Sequence, residues 1–112
     1  MAICPDKVKS LAVFTLENPL DCETADSFKE KIYELVESGY IYLVLDFKDV
    51  DFVDSMGLGT LLSSLKQVRK AGGDIRLCSL KERVRTLLDL TCLSNVFEIC
   101  DSADEAQKKF SE

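Results

Sequence analysis

The run Ile41-Tyr42-Leu43-Val44-Leu45 constrains this chain more than any other stretch, because it is apolar at every position. A strand that meets water on one face alternates apolar with polar residues. A short run without alternation is a strand buried on both faces, as in the middle of a mostly parallel sheet. Asp46-Phe47-Lys48-Asp49-Val50-Asp51-Phe52-Val53-Asp54-Ser55-Met56-Gly57-Leu58-Gly59 follows directly. Then Leu58, Leu61, Leu62, Leu65 and Val68 fall on one stripe of a helix. A loop with four carboxylates and one hydroxyl therefore joins a buried strand to an amphipathic helix. In α/β sheets, ligand and signalling sites gather at the carboxyl ends of strands, where this loop sits.

The rest of the chain alternates in the same way. Ser10–Leu16 sets Leu11, Val13 and Thr15 against Ala12, Phe14 and Leu16, a strand with two unlike faces, and Glu17-Asn18-Pro19 breaks it. The opening residues place an edge strand near Ile3 or Val8. A helix capped by Asp21 or Thr24 carries Ala25, Phe28, Ile32, Leu35 and Val36 on one face and ends at Gly39. The central helix runs from about Met56 to Ala71 and stops at Gly72-Gly73. Asp74–Ser79 is a further strand. Ser79-Leu80-Lys81-Glu82 reads as a capping box for a short helix with Val84, Leu87 and Leu88 inward. Asn95–Ile99 is a last strand, and Ser102-Ala103-Asp104-Glu105 is a second capping box before a final helix bearing Ala103, Ala106 and Phe110. Strand–helix alternation of this kind gives a mostly parallel sheet with helices packed on it.

Composition removes several function classes. With no histidine, Ser-His-Asp and Cys-His catalysis are out, as is the commonest general base. Five cysteines, at 4, 22, 78, 92 and 100, show no Cys-x-x-Cys spacing, and without histidine a zinc site is not expected; they read as reduced thiols. A net charge of −6 argues against nucleic acid or an anionic membrane as partner. No stretch reaches the ~18 apolar residues of a membrane span, and the first residues lack a signal-peptide apolar core. One domain over 1–112, working in the cytoplasm without a cofactor and without enzymatic activity, is the expectation.

Ser55 is the residue to explain. It stands where a helix takes its N-cap, a structural role contributing roughly 1 kcal/mol. As a nucleophile it lacks both a Gly-x-Ser-x-Gly elbow and a base. Gly57-Leu58-Gly59 is not a dinucleotide loop, since the third glycine position holds Leu62. The two glycines instead let something approach the helix start closely. Asp46 as a phospho-accepting aspartate needs an acidic pair after the first strand to hold Mg²⁺, and only Glu17 is there. Asp49, Asp51 and Asp54 are most simply a solvated loop. The remaining role for Ser55 is as the substrate of a kinase. Phosphate adds about −1.5 to −2 charge. The helix N-terminus favours that anion by roughly 0.3–1 kcal/mol, and Asp54 opposes it by a similar amount. The fold would barely change, while a partner docked at Ser55 would meet an unpaired charge costing several kcal/mol.

The stretch Asp46–Gly59, with Asp54-Ser55-Met56-Gly57-Leu58 at its core, resembles the signature of bacterial anti-sigma factor antagonists of the STAS domain family. Leu20-Asp21-Cys22-Glu23-Thr24-Ala25 resembles the family's first-helix motif, and Val96-Phe97-Glu98-Ile99 with Ser102 and Glu105-Ala106 its C-terminal strand and helix. The resemblance covers roughly Leu11 to Phe110. It implies a mostly parallel four- to five-stranded sheet with about four helices, mainly on one face. It implies that Ser55 is phosphorylated by a cognate anti-sigma factor with serine kinase activity, and that the dephosphorylated form binds this kinase and frees the sigma factor. A metal-dependent serine phosphatase would restore that form. The partner surface it implies comprises Asp21, Thr24, Asp46, Asp54, Ser55, Met56, Gly57 and Leu58. Met56 departs from the family's usual small residue, and Glu17-Asn18-Pro19 from its glycine-containing approach. An accessory STAS module of a transporter, with Ser55 only a cap, is the alternative.

Overall fold

The computed structural model describes residues 3–5 and 11–111. Five strands and four helices follow one another: β1 (Ile3–Pro5), β2 (Leu11–Thr15), α1 (Ala25–Glu37), β3 (Tyr42–Asp46), α2 (Ser55–Lys70), β4 (Asp74–Cys78), α3 (Glu82–Leu90), a 3₁₀ turn (Leu93–Asn95), β5 (Glu98–Cys100) and α4 (Ala103–Ser111). The spatial order β1-β2-β3-β4-β5 is the chain order. β1 runs antiparallel to β2, and β2 to β5 are parallel. Parallel neighbours joined by right-handed crossovers put each connecting helix on the same side of the sheet. The packing follows that rule. Phe14, Leu45, Leu77 and Ile99 form one row in register and meet Phe28, Ile32 and Leu35 of α1, Leu61, Leu65 and Val68 of α2, and Val84 and Leu88 of α3.

The second face is covered by α4. Leu11, Val44, Cys78 and Cys100 point there and pack with Ala106. This is why β3 needs no polar position: Leu43 and Leu45 serve one core, Val44 the other, and all three are fully buried. Gly39 and Gly72 take positive φ after α1 and α2, so the helices end where the sequence places their ends. Ser102 Oγ accepts from the Glu105 amide at 3.2 Å, which is the expected cap of α4.

Two local expectations fail. α3 begins at Glu82 with Lys81 as an N-cap that makes no side-chain bond, and Ser79 sits at φ 57 instead of capping. Leu80 is half-buried and packed on the core, which carries the chain two residues further before the helix can start. The last strand begins at Glu98, not Asn95, because Leu93–Asn95 forms the 3₁₀ turn. The first edge strand falls at Ile3; Val8 and the Phe110 side chain lie outside the described residues.

Candidate functional site

β2 and β3 are parallel neighbours, so their C-terminal ends release two loops side by side. The loops continue the ladder that the strands began. The Leu16 amide donates to the Asp46 carbonyl at 3.1 Å, the Leu20 amide to Phe52 at 2.9 Å, and the Asp54 amide to Leu20 at 3.2 Å. Leu20 and Val53 form a parallel bridge. Gly57 lets this happen: a Cβ there would overlap the Leu20 carbonyl oxygen. Gly59 has no such neighbour within 4 Å, so the close approach expected at both glycines occurs only at Gly57.

Side chains lock the same junction. Asp54, not Ser55, is the N-cap of α2. Its Oδ1 accepts from the Gly57 amide at 2.8 Å, and its Oδ2 accepts from the Cys22 amide at 3.1 Å. One carboxylate thus caps α2 and ties the turn before α1 to it. Extended backbone at Asp54 (φ −99, ψ −178) is the usual geometry of a cap. Asn18 holds the loop from the other side: its Oδ1 accepts from the Asp51 amide at 2.8 Å and its Nδ2 donates to Asp51 Oδ2 at 3.3 Å. Lys81 pairs with the Asp51 carboxylate. Asp51 and Asp54 are therefore structural members of the loop and not merely solvated charges.

Ser55 is the first residue of α2 and is exposed. Its hydroxyl has no hydrogen-bond partner among the described residues. The sequence expectation that Ser55 caps the helix is off by one position: Asp54 offers a better acceptor one residue earlier, and its second oxygen reaches Cys22. Met56 beside it is 58% exposed, Leu58 is half-buried and Gly57 is buried.

The turn before α1 is ordered by a reciprocal pair. The Thr24 amide donates to Asp21 Oδ1 at 3.3 Å, and the Asp21 amide donates to Thr24 Oγ1 at 3.1 Å. Thr24 Oγ1 also donates to the Pro19 carbonyl at 2.7 Å. Thr24 stands at the N-cap position but makes no side-chain bond to the helix, and the Asp21 carboxylate accepts from the Glu23 and Thr24 amides of the turn before it, so these residues order the turn and do not cap the helix with a side chain. Asp46 is set apart. It is 7% exposed, lies in register with Thr15 and Cys78 on the α4 face, and accepts from the Lys48 amide at 3.0 Å. Burial, with the negative charge of Asp46 second, pushes the Cys78 thiol up to about 12. Among the described residues no group of three or more His, Cys, Asp or Glu could hold a metal ion, and no helix is long and apolar enough to cross a membrane.

The partners missed from the sequence are Asn18, Leu20, Cys22 and Lys81. Their hydrogen bonds and ion pair in this loop span 30 to 34 residues, and no local spacing signals them.

Known proteins resemble this chain in sequence and fold. The profile of the STAS domain matches residues 4–106. The anti-sigma-B factor antagonist of Bacillus subtilis is 38% identical over 80 residues, 71% of this chain and 72% of that protein. The anti-sigma F factor antagonist of Paenibacillus polymyxa is 28% identical over 95 residues, 84% of this chain and 81% of that protein. The crystal structure of the Thermotoga maritima protein tm1081 superposes with a TM-score of 0.91 at 27% identity, covering 99% of this chain and 94% of that one. With the profile matching over residues 4–106 and a relative 38% identical over 71% of it, this chain belongs to the STAS domain family.

Proposed function

We propose that this protein is a cytoplasmic anti-sigma factor antagonist, a binding protein and not an enzyme, switched by phosphorylation of Ser55. The observation that carries the reading is the division of labour at α2. Asp54 does the capping, so the Ser55 hydroxyl is exposed and unpartnered, with no structural duty to lose. An anti-sigma factor with serine kinase activity binds the unmodified form, and the sigma factor is released. ATP belongs to that kinase; a metal-dependent serine phosphatase reverses the modification. Asp21, Thr24, Ser55, Met56 and Leu58 offer the contact surface. Asp46, Asp54 and Gly57 shape it from beneath: Asp54 and Gly57 through the α2 entrance, Asp46 through the turn it orders.

The charge argument sharpens with the geometry. The Gly57 amide is already taken by Asp54, so a phosphate on Ser55 cannot claim it without displacing that carboxylate. The dianion stays in solvent, the fold keeps its cap, and the cost falls on docking. The reading in which Ser55 serves only as a cap loses its premise, because Ser55 is not the cap. The test is to incubate the chain with ATP and the host's anti-sigma factor kinase and to map the phosphate by mass spectrometry. Phosphate on Ser55 supports the assignment. Phosphate on exposed Ser63 in its place contradicts it; Ser64 is 1% exposed and out of reach.

A further inference from the structure

Phe52 and Leu90 are among the few large apolar side chains left in water, at 50% and 78% exposure. They line one groove. The β3–α2 loop gives Asp51, Phe52 and Val53; α3 gives Arg83, Val84, Thr86, Leu87 and Leu90. Val53 and Val84 form its buried floor, Leu87 is half-buried, and the groove holds about 350 Å³. Contiguous exposed apolar surface with a polar rim marks an interaction site more often than scattered single residues do. The rim carries an ion pair, Lys81 with Asp51, and one cation of a different kind. Arg83 is exposed and makes no ion pair among the described residues, whereas Arg85 on the same helix is paired with Asp89.

We propose that this groove receives an apolar segment, bearing an acidic residue for Arg83, from the same anti-sigma kinase that acts on Ser55. The inference rests on the function proposed above and extends its contact surface from α2 to α3. Two observations choose this occupant. First, Phe52 lies three residues before Ser55 in one loop, and that loop is pinned by Leu20, Asn18 and Lys81. A partner reaching Ser55 thus meets Phe52 at a fixed offset and not across a hinge. Second, Arg83 is an exposed cation on the groove, without an ion pair among the described residues, and it gives an incoming carboxylate a bidentate donor.

The test uses the intact chain and the kinase that phosphorylates Ser55 in the presence of ATP, with affinities from isothermal titration calorimetry. Leu90→Asp, Arg83→Glu and Ser55→Asp are compared with the unaltered protein. Leu90 and Arg83 are surface residues, so both variants should fold, and circular dichroism checks this. The expected result is a loss of about tenfold or more for Leu90→Asp and about three- to tenfold for Arg83→Glu, the latter shrinking with salt. If Ser55→Asp abolishes binding while Leu90→Asp binds within about twofold of the unaltered chain, the groove proposal is overturned and the Ser55 reading stands. If no kinase modifies Ser55, both fall. If Leu90→Asp instead shifts the chain alone from dimer to monomer in sedimentation, the groove is a self-association surface and the proposal is overturned.

Discussion

Two helices start just beyond adjacent parallel strands, and their entrances are built differently. At α2 a carboxylate caps the helix, reaches across to the neighbouring loop, and sits above a glycine that admits a carbonyl. At α3 the N-cap is Lys81, which makes no side-chain bond, and Ser79 occupies the left-handed region. Each entrance has a serine that sequence rules would make the cap, and at neither is it one. At α3 the hydroxyl is displaced because Leu80 packs inward first. At α2 it is displaced because Asp54 takes the role. Only the second displacement leaves a free hydroxyl on a rigid platform, which is what a modification site needs.

The sharpest way to break this comparison is to fill the space at Gly57. Gly57→Ala should cost about 2–3 kcal/mol, since its Cβ meets backbone and not a yielding side chain. Gly59→Ala, in open space, should stabilise by roughly 0.5–1 kcal/mol through helix propensity. Urea denaturation of the pair checks both signs at once; a loss at Gly59 equal to that at Gly57 would show that the close approach is not what matters.

Next comes the cap itself. Asp54→Ala should lose about 1–2 kcal/mol, and Ser55→Ala should stay within about 0.5 kcal/mol. The opposite order would restore Ser55 as the cap and remove the argument for its freedom. At the other entrance, Ser79→Ala should be close to neutral, within about 0.5 kcal/mol, while Ser102→Ala, which removes a real cap, should cost about 1 kcal/mol.

The smallest effects concern the thiols. Cys22 and Cys92 are exposed and Cys78 and Cys100 buried, so a thiol reagent near neutral pH should label the first two quickly and the second two only on unfolding. For Cys78, burial and Asp46 lift the folded value to about 12 from 9.0. The neutral thiol is favoured in the fold, so this contribution is intact below pH 9 and is lost as pH rises from 9 toward 12. Alkaline denaturation of Cys78→Ala should show a shallower fall over that window than the unaltered chain.

Much of the architecture is legible in local pattern. Ile41–Leu45 announces a strand buried on both faces, and the cores that Leu43, Val44 and Leu45 enter explain why. Gly39 and Gly72 mark helix ends because positive φ excludes most other residues. The motif around Asp54-Ser55 falls on the loop that the structure clamps between β3 and α2. What stays hidden is whatever depends on a second segment. Choosing between Asp54 and Ser55 as cap requires Cys22, 32 residues away. The place of Asn18 requires Asp51, 33 residues away. The failed capping box at Ser79 has a valid spacing and loses to the burial of Leu80. Val96-Phe97 looks like the start of a strand, yet both lie between the 3₁₀ turn and β5, with Phe97 buried and Val96 left exposed.

The central claim is that a phosphate at Ser55 leaves the fold alone and forbids docking. The most direct measurement is the affinity of the anti-sigma kinase for the unmodified chain and for the same chain carrying phosphoserine at position 55. The account predicts a loss of about 100-fold or more, with unfolding midpoints for the two forms nearly the same. Equal affinities for the two forms would contradict it.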